Sequence, residues 1–71
     1  MMTLLERLRR DRDWSQDQLA KVADVARSMI SQYESRKRIP SIATVVRLAK
    51  AVKVKPRLLF DDFAGSSEQA S

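Results

Sequence analysis

The 71 residues contain no cysteine and no histidine. Without cysteine there is no disulfide and no thiolate metal site, a composition suited to a reducing compartment. Without histidine the chain lacks the usual general base and the commonest nitrogen ligand for a metal. Gly65 is the sole glycine, so no glycine-rich loop is available to cradle a phosphate. Asp11, Asp13 and Asp17 are spaced as caps and solvated side chains, not as a catalytic set. These absences argue against an enzyme, and no cofactor or metal is expected. No apolar run approaches the roughly 20 residues that cross a bilayer, and the first residues lack the apolar stretch of a signal peptide. A soluble, cytoplasmic protein is the expectation. Internal repeats, low-complexity tracts and a sheet pattern are missing as well.

What is present is positive charge. Fourteen Lys and Arg against nine Asp and Glu give +5. Residues 1–60 hold all fourteen cations and six of the acids, for +8, while residues 61–71 hold Asp61, Asp62 and Glu68. A field of that sign concentrates polyanions, nucleic acid first and anionic membrane second. A peripheral membrane role is disfavoured because the cations do not share one face with a large exposed apolar stripe. A chain this size allows one domain that buries only about 60% of its unfolded surface, so its stability alone should be marginal.

The apolar spacing predicts an all-α domain of five short helices. Thr3 is positioned to cap the first, through about Arg12, with Leu4, Leu5 and Leu8 inward. Asp13 breaks it, and Trp14 reads as a core anchor. Ser15 caps a second helix carrying Leu19, Ala20 and Ala23. Asp24 can take the left-handed conformation that ends a helix, with Val25 as the apolar plug that returns the chain to the core. A third helix follows with Ile30 and Tyr33 on one side and Arg27, Ser28, Ser31 and Gln32 on the other. The turn between the second and third helices is too tight for side-by-side packing, so they must cross steeply. After the basic loop SRKRIPS, Ser41 caps a fourth helix with Ile42, Val45, Leu48, Ala49 and Val52 inward, and VVRLAKAVKVK reads as helix followed by turn. Pro56 suits the first position of a fifth, short helix with Leu58, Leu59 and Phe60. The ordered domain is expected to span residues 1–63, with 64–71 as a disordered tail.

Taken together, WSQDQLAKVADVARSMISQYESRKRIPSIATVVRLAKAVKVKPRLLF resembles the phage-repressor and Cro type of helix-turn-helix domain. The carriers are Ser15-Gln16, Leu19-Ala20, Val25, Ile30-Ser31, Tyr33-Glu34, Pro40-Ser41 and Leu48-Ala49-Lys50-Ala51. Each is weak alone; their joint spacing is specific. The resemblance implies that the third helix enters the DNA major groove. Its base readers would be Arg27, Ser28 and Gln32, with Met29 and Ser31 at the edge of the contact. Arginine can fork onto guanine, glutamine can pair with adenine, and serine serves either. Gln16, at the start of the second helix, matches a phosphate-contacting position. Arg36, Lys37 and Arg38 would neutralise backbone phosphates. Arg9 and Glu34 match positions that form a partly buried ion pair fixing the reading helix to the scaffold. Arg7, Arg10 and Arg12 are expected to be solvated, and Trp14 and Tyr33 to pack in the core instead of stacking on bases.

The sequence departs from the family pattern at four turns. Asp13, Asp24, Arg36 and Lys53 stand where glycine is common, and positive φ there would cost each about 1 kcal/mol relative to glycine, less for Asp. Ala26 stands where Ser or Thr usually caps the reading helix. The resemblance implies a homodimeric, sequence-specific regulator of transcription, most simply a repressor, on double-stranded DNA. Leu58, Leu59, Phe60 and Phe63 either form the dimer surface or close the core of one subunit. The alternative is an antitoxin or adaptor of the same fold whose main partner is another protein.

Overall fold

The computed structural model describes the backbone of residues 2–70 and the side chains of residues 2–65. Five helices follow in order: α1 (Leu4–Asp11), α2 (Gln16–Ala23), α3 (Arg27–Glu34), α4 (Ile42–Val52) and α5 (Pro56–Ala70). There is no strand among the described residues. No described helix is long and apolar enough to cross a membrane.

Local chemistry explains where the helices start. Thr3 Oγ1 accepts from the Glu6 N–H at 3.2 Å, and Ser41 Oγ from the Thr44 N–H at 3.3 Å. Ser15 and Gln18 form a reciprocal capping box: Ser15 Oγ accepts from the Gln18 N–H at 3.1 Å, and the Ser15 N–H donates to Gln18 Oε1 at 2.7 Å. Helix α3 starts at Arg27 behind Ala26, which makes no side-chain cap bond. The missing oxygen removes about 1 kcal/mol of capping, so packing must hold α3 in place.

One device ends four of the helices. Asp13, Asp24, Arg36 and Lys53 all have positive φ, between 56° and 61°. After each, the next N–H donates five residues back: Trp14 to Arg9, Val25 to Ala20, Lys37 to Gln32 and Val54 to Ala49, at 2.9 to 3.2 Å. Each left-handed residue thus folds the chain over its own last turn and satisfies a carbonyl the helix leaves open. Trp14, Val25 and Val54 then lie partly buried against the core. Lys37 is the exposed exception, on the one turn that leads into the basic loop.

The core is one cluster that includes Leu5, Leu19, Ile30, Tyr33, Val45, Leu48, Val52, Leu59 and Phe63. Helix α4 packs against both α2 and α5, and α2 against α3. Tyr33 and Phe63 meet edge to face, 6.4 Å between ring centroids.

Three side chains sit elsewhere than expected. Ile42 is 70% exposed, because it opens α4 ahead of the turns that face the core, and the inward stripe takes Ala51 instead. Trp14 is only half-buried, with the Arg12 guanidinium 5.9 Å from its ring. Arg12 is not a solvated cation: it donates to the Leu8 carbonyl at 3.1 Å and to the Val52 carbonyl, tying α1 to the end of α4. The helical backbone of α5 continues past Phe63 to Ala70, and Gly65 does not take the positive φ that would stop it. The side chains of 66–71, expected to be a tail, lie outside the described residues.

Candidate nucleic-acid interface

Helix α3 has one buried side and one open side. Ile30, Tyr33 and Glu34 are buried, while Arg27, Ser28 and Ser31 are exposed. Gln32 is half-exposed, and Met29 is partly buried against the core, which leaves it a smaller share of the open face than the sequence suggests. The spacing accounts for this split, since positions 27, 28 and 31 share a face that 30, 33 and 34 do not.

The scaffold holds that helix by a buried ion pair. Arg9 Nε donates to Glu34 Oε2 at 2.7 Å and Nη2 donates to Oε1 at 3.0 Å, a bidentate fork. Arg9 Nη1 donates to the Trp14 carbonyl at 2.7 Å, so the turn after α1 is pinned by the same side chain. The hydrogen bonds to Glu34 hold the Arg9 guanidinium above its ordinary pKa, against the opposing pull of burial. Gln16 Nε2 adds a third donor to this carboxylate, 3.1 Å from Glu34 Oε1. Gln16 is therefore seated at the start of α2 by the anchor that seats α3. Its backbone N–H and that of Asp17 belong to the first helical turn, where intrahelical acceptors do not exist.

Arg36, Lys37 and Arg38 are exposed just beyond α3, but they are not equivalent. Arg36 Nη2 lies 3.4 Å from Asp62 Oδ2 on α5, and Asp62 also accepts from the Leu4 N–H at 3.4 Å. Arg38 Nη1 lies 3.9 Å from Met29 Sδ, alongside α3. Lys37 has no ion-pair partner among the described residues. Asp62 joins α1, α5 and the turn after α3, a role with no local signal because its partners lie 58 and 26 residues away. Arg47 is a second unforeseen link: its Nη1 approaches the Asp24 carbonyl at 3.4 Å, at the end of α2.

The four apolar residues proposed for contact between subunits divide evenly. Leu59 and Phe63 are buried in the monomer core, since α5 turns that edge toward α1 and α4. Leu58 and Phe60 are 54% and 46% exposed. Phe60 joins Ile42, Val45, Val46, Pro56 and Arg57 around an apolar groove of about 260 Å³ between α4 and α5. No group of acids able to hold a metal ion is found among the described residues.

Residues 5–59 match the helix-turn-helix family. Over 54 residues, 76% of this chain, the sequence is 33% identical to the HTH-type transcriptional regulator SutR of Escherichia coli (strain K12). The chain spans 30% of that relative's length. Because the family match runs from α1 into α5 and includes both α2 and α3, the chain belongs to the helix-turn-helix family of DNA-binding domains, of the phage-repressor and Cro type.

Proposed function

We propose that this chain is a sequence-specific binder of double-stranded DNA that regulates transcription as a repressor, acting as a homodimer with α3 in the major groove of each half-site. The observation that carries the reading is the open face of α3: Arg27, Ser28 and Ser31 project from a helix whose opposite side is locked by Ile30, Tyr33 and Glu34. A rigid rod with hydrogen-bonding side chains and a fixed positive charge suits base edges. Arg27, Ser28 and Gln32 read bases, with Ser31 and Met29 at the margin. Gln16, Lys37 and Arg38 grip phosphates, and Arg36 does so at the cost of its bond to Asp62. The net positive charge of residues 1–60 supplies the long-range attraction.

Two copies are needed for selectivity. Each bidentate base contact discriminates by about 1 to 3 kcal/mol, too little for one small reading face to find a site among many. The apolar groove lined by Ile42, Val46 and Phe60 supports a second copy as the dimer partner. A twofold pair would place two reading helices about 10 base pairs apart.

Fluorescence anisotropy with labelled duplexes tests the reading. Affinity should fall steeply, by a factor of a hundred or more, between roughly 50 and 200 mM salt, and should differ between duplex sequences at constant salt. Affinity indifferent to both salt and sequence would contradict it.

A further inference from the structure

The first turns of α2 and α3 meet at one pair of charges. Arg27 Nε lies 3.5 Å from Asp17 Oδ1, and each side chain is 66% exposed. Asp17 is the second residue of α2 and Arg27 the first of α3, so the pair bridges the two helices that would lie closest to a duplex. An acid at this point is unexpected for a polyanion binder. It stands beside Gln16, where a phosphate would meet the start of α2, and its charge opposes that phosphate. Lys21 and Asp24 line the same shallow hollow as Asp17 and Arg27. Lys21 lies one turn along α2 from Asp17, yet among the described residues Arg27 is the cation within 4.0 Å of the Asp17 carboxylate.

The atom engaged gives the contact a direction. A guanidinium offers a rigid fork of donors and can meet a planar acceptor pair either with its two terminal nitrogens or with Nε and one of them. The approach of Asp17 is to Nε, and no described residue accepts a hydrogen bond from Nη1 or Nη2. Those two match the O6 and N7 of guanine.

Resting on the reading of α3 as the base-reading helix, we propose that Asp17 is a positioning residue for base recognition: its carboxylate holds the Arg27 guanidinium by Nε so that Nη1 and Nη2 are presented end-on to guanine. Asp17 raises discrimination at one base pair per half-site and lowers grip on duplexes of any sequence.

Competition binding with the full chain separates these effects. Wild type and Arg27→Ala are compared first, on a selected duplex and on variants at each position, to locate the base pair that Arg27 reads. At that pair Asp17→Asn should reduce the guanine preference about two- to fivefold, the range available to an exposed ion pair, while affinity for unrelated duplex rises. Asp17→Glu should retain most of the preference. In the Arg27→Ala background, Asp17→Asn should change preference no further. An undiminished guanine preference in Asp17→Asn, with or without a lower thermal midpoint, would overturn the proposal and leave Asp17 as an acid suited only to its helix terminus. A wild type without any base preference, or an Arg27→Ala variant that keeps it, would instead remove the reading of α3 on which the proposal stands.

Discussion

Arg9 and Glu34, 25 residues apart, form a two-pronged ion pair at 2.7 and 3.0 Å, and the same carboxylate receives Gln16 from the start of α2. One buried charge pair thus sets the relation of α1, α2 and α3. Removing one partner leaves the other charged and without its bonds. Glu34→Ala is expected to cost about 3 to 5 kcal/mol in chemical denaturation. Replacing the pair together, Arg9→Met with Glu34→Leu, should recover much of that loss, since an apolar pair of similar volume needs no partner. A loss in the single variant within experimental noise would contradict the burial argument.

The left-handed turns make a second expectation. Lys53 holds φ at 58°, which a side chain with a Cβ adopts at a cost. Lys53→Gly should raise stability by about 0.5 to 1 kcal/mol, the relief being partly offset by a more flexible unfolded chain. Asp24→Gly, at φ 57°, should change stability much less because Asp tolerates this region. Thermal denaturation of both variants checks the contrast, and equal effects would refute it.

The basic loop should prove heterogeneous. Lys37→Ala is expected to weaken binding to all duplexes alike and to lower the slope of log affinity against log salt by about one. Arg36→Ala should flatten that slope less, because Asp62 already holds its guanidinium, and should cost stability up to about 1 kcal/mol. Salt titrations of the two variants, with denaturation curves alongside, separate phosphate grip from the strap to α5.

Phe60 and Ile42 should matter for association and little for folding. Both are exposed in the monomer at the apolar groove. Phe60→Ser is expected to convert a dimer to a monomer in sedimentation velocity while the helical circular dichroism stays unchanged. A Phe60→Ser variant that sediments as wild type would place the subunit contact elsewhere.

Much of this fold was legible locally. Ser15 and Gln18 announce their capping box, and the alternation of Leu19, Ala23, Ile30 and Tyr33 fixes which sides of α2 and α3 turn inward. The four glycine-poor turns were located by resemblance, and each takes the positive φ that this implies. Contacts set by tertiary geometry were not legible. Asp62 gives no sign in sequence that it will meet Leu4 and Arg36, and Arg12 gives none that it will reach the end of α4. Ile42 misled because helical periodicity gives a residue's side but not how far the partner helix extends beside it. Leu59 and Phe63 could not be divided from Leu58 and Phe60 until the approach of α5 to α1 and α4 was known.

The reading of α3 is most directly tested by selecting bound duplexes from a random pool with the full chain. A twofold-symmetric consensus should emerge, its half-sites centred about 10 base pairs apart, with one position per half-site losing its preference in Arg27→Ala. Recovery of unenriched sequence at every position, from a folded protein that still binds duplex, would contradict a base-reading role for Arg27, Ser28 and Gln32.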